Sequence, residues 1–262
     1  MNLGIKGKVA LVTAASRGLG FACAQALAAE GAKVAIAARH KKQLTNAARD
    51  LASHRKTVVV GIEADVTQEQ SLKRMVRQTE KRLGEIDILV MGTGHLPSGS
   101  FGKVSDIDWQ LGLNLTIRPA IVLSRLVLPG MRKRKFGRII FLSSVFALEP
   151  DSGYVISSTY RAGLSALAKC LSNEVAEDGV TVNVIAPGYY DTPLLDELAA
   201  KKASAVGSSA KQILNDWGKL SPTKRLGSPD ELGAVIALLA STRSTFLQGV
   251  TLAVDGGFIK GI

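Results

Sequence analysis

The chain has 262 residues, of which 46% are hydrophobic and 21% are charged. This composition excludes a disordered or low-complexity chain, and the length is enough to bury a core without disulfides. Lys and Arg number 33 against 22 Asp and Glu, so the formal net charge is +11 and the surface attracts anionic partners.

Apolar runs that are typical of strands alternate with helical stretches along the whole chain. The predicted strands are residues 8–13, 34–37, 57–61, 86–90, 138–142, 181–186 and 251–254. Helices are predicted over residues 17–30, 41–53 and 68–83, and long helical stretches separate the later strands. Such alternation predicts parallel strands with right-handed crossovers. We therefore expect one α/β domain over residues 1–262, a doubly wound Rossmann fold with its ligand site at the carboxyl ends of the strands.

A glycine-containing turn joins the first predicted strand to the first predicted helix. Residues 13–20 read Thr-Ala-Ala-Ser-Arg-Gly-Leu-Gly. Gly18 and Gly20 let the backbone approach a pyrophosphate, and the start of the helix supplies free N–H groups and the positive end of its dipole. In this strand–turn–helix setting the turn predicts a nucleotide-binding site.

The end of the second predicted strand indicates which dinucleotide binds. An acidic residue there would bind a ribose 2′-hydroxyl and repel a 2′-phosphate, but this chain has Ala38 followed by Arg39. Arg17 projects from the glycine turn toward the same region, and two guanidinium groups suit a phosphate. We therefore predict a preference for NADP(H), with NAD(H) as the other possibility. The alternative is that both arginines are solvated surface charges.

These motifs resemble those of the short-chain dehydrogenase/reductase family, nearly from end to end. Ala14 stands where the family's Thr-Gly-x-x-x-Gly-x-Gly turn has its first glycine. Residues 65–66 resemble the family's adenine-contacting pair, 187–192 its Pro-Gly-x-x-x-Thr segment at the nicotinamide, and 248–257 its C-terminal signature. From the resemblance and the charge argument together, the predicted cofactor-binding residues are Thr13, Ser16, Arg17, Gly18, Leu19, Gly20, Arg39, Asp65, Val66, Gly92, Arg161, Pro187, Gly188 and Thr192.

The catalytic set of the family is Asn, Ser, Tyr and Lys, and this chain departs from it. Ser144 matches the serine, but Ser157 stands thirteen residues on, where the family has Tyr, and Arg161 stands at the Lys position. Asn114 lies in an Asn-Leu-Thr like that of the family, yet the spacing from the preceding Trp places Thr116 at the Asn site. The departures resemble an atypical subgroup similar to β-ketoacyl-acyl-carrier-protein reductases but without the full catalytic set.

Tyr154 is the candidate for the missing proton donor. It precedes Arg161 by seven residues, which on one helix leaves the two about 20° from alignment. This spacing resembles enoyl-acyl-carrier-protein reductases, although their basic residue is Lys. Arg161 stays charged, so it can stabilise a phenolate or bind the nicotinamide ribose but cannot shuttle a proton. The alternatives are that Tyr154 is only a partly buried aromatic, or that His95 or Tyr160 transfers the proton. The predicted catalytic residues are Ser144, Tyr154, Ser157 and Arg161.

Residues 193–225 follow the nicotinamide motif, and we predict that they form a helical lid over the substrate. Their apolar side chains favour a partly hydrophobic substrate, or else only pack the lid on the body. The predicted function is an NADP-dependent oxidoreductase acting on a small-molecule carbonyl or alcohol. The alternative is a catalytically impaired dinucleotide-binding sensor or scaffold. Members of the family are commonly tetramers, so we expect a homo-oligomer, a tetramer or dimer, to whose interface residues 258–259 could contribute.

Three further observations concern the compartment and other partners. Cys23 and Cys170 lie in apolar helical stretches and are interpreted as reduced core residues. Residues 1–6 lack the apolar core of a signal peptide, and no apolar run approaches the roughly 18 residues of a membrane span. The basic run 132–135 is interpreted as a solvated turn, because few aromatic residues that could stack on bases lie near it. We therefore predict a cytoplasmic protein with no membrane, nucleic-acid or metal partner.

Overall fold

The computed structural model describes residues 2–54 and 57–261, and of His54 only the backbone. In that part of the chain, seven parallel strands form one sheet in the order β3-β2-β1-β4-β5-β6-β7. The strands are β1 Val9–Thr13, β2 Lys33–Ala38, β3 Val59–Glu63, β4 Ile88–Met91, β5 Gly137–Leu142, β6 Val180–Pro187 and β7 Thr251–Val254. The predicted doubly wound parallel sheet is confirmed.

Helices cover both faces of this sheet. They are α1 Gly18–Ala29, α2 Lys41–His54, α3 Glu69–Leu83, α4 Asp106–Leu115, α5 Ile117–Lys133, α6 Val155–Val175, α7 Pro193–Val206, α8 Ala210–Leu220 and α9 Pro229–Leu239. Apolar side chains of α3, α5 and α6 pack on one face, and those of α1, α2 and α9 pack on the other. Because both faces are covered, the central strands are mostly apolar, as is typical of buried parallel strands.

The hairpin of α7 and α8 stands apart from these two layers. It has a hydrophobic cluster of its own, in which Leu195, Ala199 and Ala203 of α7 meet Ile213 and Trp217 of α8. Thr192 caps α7 by accepting a hydrogen bond from the backbone of Leu195 at 3.3 Å. The hairpin therefore has apolar contacts between its two helices and lies at the end of β6, where the predicted lid begins.

Two predicted strands start two residues later in the structure, and the bounds of the others agree to within one residue. The predicted strand 86–90 begins at Ile88 instead, and the Asp87 carboxylate just before it accepts from the Val9 backbone N–H at 3.1 Å. The predicted strand 57–61 is displaced by two residues toward Glu63, where its register with β2 continues to Ala38. Both shifts carry the strands further toward the edge of the sheet where the ligand site is expected.

The prediction for Cys170 is wrong. Cys23 is buried in α1 as predicted, and burial raises the pKa of its thiol to about 12. Cys170 is exposed, because α6 turns Ala168, Ser172 and Val175 toward the core and leaves residue 170 on the solvent side. The apolar composition of the stretch did not distinguish the two faces of the helix.

The expectation that no segment approaches the length of a membrane span also needs correction. Residues Asp106–Lys133, which form α4 and α5, contain an 18-residue window with a mean hydropathy of 1.4, of which 44% is buried. By length and composition alone this stretch could cross a membrane. Ala120, Leu123 and Val127 lie in the core that α5 shares with the sheet, and this packing accounts for the hydrophobicity.

The basic run 132–135 covers the last two residues of α5 and the first two of the turn that leads to β5, so the predicted turn is confirmed only for residues 134–135. Arg132 and Lys135 both pair with the Asp178 carboxylate, at 2.9 and 2.7 Å. Arg134 pairs with Glu85 at 2.8 Å. Acidic neighbours therefore neutralise much of this charge locally, and the turn does not present an open basic surface.

Arg138 is the most unusual side chain of the sheet, because it is charged and only 1% exposed. Its Nε donates to the Ser241 carbonyl at 3.0 Å, and its Nη1 donates to the carbonyls of Gly137 and Gly179 at 2.7 and 3.1 Å. Burial lowers the pKa of its guanidinium to about 10. Arg138 thus joins the start of β5 to the chain that follows α9 and to the turn before β6.

The first prediction concerns this buried arginine. Arg138→Ala leaves backbone carbonyls at the amino ends of the strands without donors, so we expect a loss of about 3 kcal/mol in the free energy of unfolding. Urea unfolding measures it. Arg77→Ala, which removes an exposed arginine of α3, is the control and should change the value by less than about 0.5 kcal/mol. Equal effects of the two substitutions would contradict the structural role of Arg138.

Candidate active site

The glycine turn lies at the carboxyl end of β1 and adopts a strained conformation. Ala14, at the position of the family's first glycine, has φ of 52°, in the left-handed region that disfavours a side chain. A Cβ at Gly20 would lie 2.4 Å from the Ala14 carbonyl oxygen, so only glycine fits there. Ser16 completes the turn and Leu19 begins α1. The predicted backbone approach is thus present, with free N–H groups at the start of α1.

Three segments meet beside this turn. Thr13 Oγ1 donates to the Gly92 carbonyl at 2.6 Å and ties the end of β1 to the loop after β4. A Cβ on Gly18 would lie 3.7 Å from Thr192, which places the Pro187-Gly188 segment on the other side of the turn. The structure therefore brings together predicted cofactor residues from β1, β4 and β6.

One buried polar atom at this place has no partner. The Oγ1 of Thr93, between Gly92 and Gly94, is buried and makes no hydrogen bond to any residue that the structure describes. A buried hydroxyl usually finds a partner, so an unpaired one at the carboxyl edge of the sheet fits a bound ligand. The glycine turn and this hydroxyl together fit the dinucleotide that the sequence predicts.

The two arginines predicted to bind a phosphate have different environments. Arg17 forms a two-pronged ion pair with Glu197 of α7, with Nη1–Oε1 at 2.5 Å and Nη2–Oε2 at 3.3 Å. The pair raises the pKa of Arg17 and lowers that of Glu197. Arg39 makes no ion pair within the described residues, and its Nη2 lies 3.9 Å from the Cβ position of Gly94. Arg39 is thus open to a phosphate, whereas Arg17 is already engaged.

Asp65 lies just beyond β3 in a tight local turn. Its Oδ1 accepts from the Thr67 backbone N–H at 2.9 Å and from the Thr67 hydroxyl at 2.8 Å. The Asp65 backbone N–H donates to Ser71 at 3.0 Å. These bonds fix the backbone of Asp65 and Val66 at the same edge of the sheet as the glycine turn.

Arg161 is anchored at the carboxyl end of β5, next to Ser144. Its Nη1 donates to the carbonyls of Leu142, at 3.1 Å, and of Ser143. Burial lowers the pKa of Arg161 to about 10, so the guanidinium stays charged at neutral pH, and its Nε is buried without a partner among the described residues. Ser144 accepts from the Phe146 backbone N–H at 3.4 Å and begins a short 3₁₀ turn. The structure thus brings Ser144 and Arg161 to one place.

Tyr154 is the N-cap of α6, whose first helical residue is Val155. Its backbone, with φ of −130° and ψ of 40°, is not helical, although its carbonyl accepts from the Ser158 N–H at 2.8 Å. Its alignment with Arg161 stays a prediction. Its ring stacks on Phe146, with the centroids 4.6 Å apart. Burial, and then the Asp151 carboxylate, raise the pKa of Tyr154. Tyr154 is therefore a protonated phenol at neutral pH, held near Ser144 by the ring of Phe146.

The remaining replaced positions are buried. Ser157 is 8% exposed, and its hydroxyl makes no hydrogen bond to the described part of the chain. Thr116 lies at the break between α4 and α5 and donates to the Gly112 carbonyl at 2.6 Å. Asn114 instead bonds to Gln110 on the surface at 3.2 Å. Neither the Ser157 hydroxyl nor the Thr116 hydroxyl has a neighbouring base that would make it a proton donor.

Sequence reasoning missed Tyr189, which follows Gly188 directly. Its ring stacks on Trp217 and meets Phe258 edge-on, each at 5.7 Å between centroids. Burial, followed by the nearby Tyr154 and Asp151, raises the pKa of Tyr189 to about 12. Tyr189 and Tyr154 therefore lie close enough to interact electrostatically. Its place immediately after the Pro-Gly segment was the signal that could have found it.

His95, on the loop after β4, faces charges from two sides. Burial, then Lys201 of α7 and Arg161, lower its pKa, and Glu197 opposes them. His95 is therefore neutral at pH 7. No group of His, Cys, Asp and Glu that could hold a metal ion occurs in residues 2–54 and 57–261.

Comparisons with known proteins agree with this geometry. The family model for enoyl-(acyl carrier protein) reductases matches residues 13–259. The 3-oxoacyl-[acyl-carrier-protein] reductase FabG of Salmonella typhimurium is 32% identical, over 97% of this chain and 98% of its own. The oxidoreductase UcpA of Escherichia coli is 34% identical, over 97% and 95%. L-sorbose reductase of Gluconobacter frateurii, solved with NADPH and L-sorbose, has a TM-score of 0.96 and 33% identity, with both chains covered completely.

The second prediction concerns the strained turn. Ala14→Gly removes the side chain that disfavours the left-handed region, so we expect the free energy of unfolding to rise by about 1 kcal/mol. Ala15→Gly, at the next position and without a positive φ, is the control and should lower it by about 0.5–1 kcal/mol. Thermal unfolding of both variants gives the comparison. Stabilisation by both substitutions, or by neither, would show that Ala14 is not strained.

Proposed function

Because the chain belongs to the short-chain dehydrogenase/reductase superfamily, we propose that it is an NADP(H)-dependent oxidoreductase that reduces a carbonyl or oxidises an alcohol. The observation that carries the proposal is the set of unpartnered groups at one edge of the sheet. Thr93 Oγ1 and Arg161 Nε are buried without hydrogen bonds to described residues. Thr93 follows Gly92, which lies against Thr13 and Ala14 of a glycine turn shaped for a pyrophosphate, and Arg161 lies at the end of β5.

The residues assigned to the cofactor come from all parts of this edge. The turn 13–20 and the start of α1 would hold the pyrophosphate, and Arg39 would hold the 2′-phosphate. Asp65 and Val66 would contact the adenine, and the segment 187–192 would bind the nicotinamide end. When bound, the cofactor supplies or accepts the hydride. The NADPH complex of the sorbose reductase, at 33% identity, supports the same nucleotide for this chain.

The chain's own residues would polarise the carbonyl and provide the proton. Ser144 Oγ would donate a hydrogen bond to the substrate oxygen. Arg161, fixed on the β5 carbonyls, would keep positive charge beside that oxygen and hold the ribose. Tyr154 Oη would deliver the proton, since its raised pKa keeps it protonated. Ser157 would line the space beside them.

The substrate would lie between the sheet edge and the α7–α8 hairpin, which we assign as the lid of a single-domain enzyme. Phe146, Tyr154, Tyr189 and Trp217 give this side an aromatic surface. Such a surface suits a partly hydrophobic substrate. The names of the relatives give an acyl thioester in one case and a ketose in another, so both classes belong in the first substrate screen.

One observation favours the alternative, a nucleotide-binding protein without turnover. The guanidinium of Arg161 is turned to the carbonyls of Leu142 and Ser143, and the charge that shifts the pKa of Tyr154 is Asp151. Tyr154 therefore lacks the cationic partner that lowers the pKa of the family's tyrosine. The alternative predicts binding of the nucleotide with no oxidation of NADPH by any carbonyl.

A homo-oligomer, a tetramer or dimer, and a cytoplasmic location are parts of the same proposal. A surface groove of about 620 Å³ follows α4 and α5, with Leu113, Ile117 and Ile121 in its wall. Phe246, before the edge strand β7, is fully exposed. Apolar surface of this kind supports association.

The third prediction concerns the nucleotide. NADPH should bind more tightly than NADH, and Arg39→Gln should weaken NADPH by about tenfold while leaving NADH unchanged, because only NADPH has the phosphate. Lys42→Gln removes a nearby surface cation and is the control, expected to change neither. Fluorescence titration measures the affinities of the wild type, Arg39→Gln and Lys42→Gln for both nucleotides. Equal binding of the two nucleotides by the wild type would contradict the NADP(H) assignment.

The fourth prediction concerns catalysis. Tyr154→Phe should lower kcat for NADPH oxidation by about 100-fold without changing the Kd for NADPH, because the proton donor is lost. Tyr160→Phe is the control, since that ring packs on Trp109 away from Ser144. The wild-type rate should stay level through neutral pH and fall only above about pH 10, because the pKa of Tyr154 is raised.

The measurement follows absorbance at 340 nm with an acetoacetyl thioester and L-sorbose as substrates. Tight NADPH binding without oxidation by a broad carbonyl panel would overturn the enzyme proposal and leave the sensor. Turnover unaffected by Tyr154→Phe would overturn the role of Tyr154 alone.

A further inference from the structure

The ion pair between Arg17 and Glu197 joins two parts of the molecule whose hydrophobic clusters are separate. Arg17 belongs to the glycine turn, and Glu197 lies on α7 of the lid, whose apolar cluster is separate from both main cores. Both side chains are about half exposed, at 46% and 57%. The pair is therefore a polar bridge across the mouth of the cleft.

Two anions compete for the guanidinium of Arg17: the Glu197 carboxylate and the 2′-phosphate of the cofactor. Arg17 was predicted to bind the 2′-phosphate, yet both of its terminal nitrogens are engaged by the Glu197 carboxylate. A phosphate dianion carries more charge than a carboxylate and accepts the same two-pronged contact. An exposed ion pair contributes little stability, so the phosphate can displace it.

Glu197 also has a second partner available on its own helix. Lys201 follows it by four residues, is exposed, and makes no ion pair in the described parts of the chain. A Glu four residues before a Lys on a helix is the favourable order for an ion pair. Glu197 can therefore leave Arg17 without remaining unpaired.

We propose that Glu197 is a specificity-determining latch, which holds the lid to Arg17 and is exchanged for the 2′-phosphate when NADP(H) binds. This inference rests on the proposed function, because it needs a dinucleotide at the glycine turn. NAD(H) has no 2′-phosphate, so it leaves the latch closed. NADP(H) binds first to the open Arg39, then takes Arg17 and releases α7. The lid thus responds to one nucleotide and not to the other.

The test is isothermal titration calorimetry of the whole protein with NADP⁺ and NAD⁺. Glu197→Gln removes the competitor, so NADP⁺ should bind about two- to fivefold more tightly, with the NAD⁺ affinity unchanged. Asp196→Asn removes the neighbouring exposed carboxylate, for which no ion pair occurs among the described residues. This matched control should alter neither affinity. The difference in NADP⁺ affinity between Glu197→Gln and the wild type should become smaller as the salt concentration rises.

A double variant that also lacks Arg17 distinguishes the latch from a general effect of charge. In Arg17→Gln, the further change Glu197→Gln should have no effect on NADP⁺, because the carboxylate acts only through Arg17. Weaker NADP⁺ binding by Glu197→Gln would overturn the latch and leave the proposed function intact. The same would follow if Asp196→Asn changed the NADP⁺ affinity as much as Glu197→Gln does. Wild-type protein that binds neither nucleotide would overturn both.

Discussion

All seven strands of the sheet run in one direction, and the candidate site depends on this constraint. Each loop that follows a strand must begin at the same edge, so residues 13, 92, 144 and 188 meet although they are far apart in the chain. The contact between Thr13 Oγ1 and the Gly92 carbonyl, at 2.6 Å, connects two of these ends directly. The opposite edge is fixed by a different group, the buried Arg138. Stability and ligand binding are thereby placed at opposite ends of the strands.

An arginine at position 161 makes contacts that differ from those a lysine would make. A lysine ammonium is a compact charge on a flexible stem, whereas a guanidinium is a planar fork with donors on several sides. In this chain one side of the fork is bound to the carbonyls of β5, and Nε has no partner among the described residues. The charge is therefore fixed in place and cannot follow a substrate oxygen. Position 157 carries a serine, and the candidate phenol, Tyr154, is the N-cap of α6 and precedes its first helical residue.

The local patterns predicted most of the fold, because they depend on neighbours in sequence. Apolar runs identified the seven strands, and the glycines of the first turn predict a nucleotide-binding site there. Cys170 was predicted wrongly because the apolar composition of the stretch did not distinguish the exposed face of α6 from the buried one. Tyr154 is the N-cap of that helix, and the exact start of a helix depends on more than its local pattern. The partner of Arg17 lies 180 residues away on α7, and no local pattern could have indicated Glu197.

Charged side chains from several elements lie together around His95 in the cleft. Arg161 and Lys201 lower the pKa of His95, and Glu197 opposes them, so the four groups share one electrostatic neighbourhood. Glu197 is the negative member of that set, and it is also the group that holds Arg17. An exchange of partners by Glu197 would therefore alter the field at His95. One carboxylate on α7 thereby connects the glycine turn with the loop after β4.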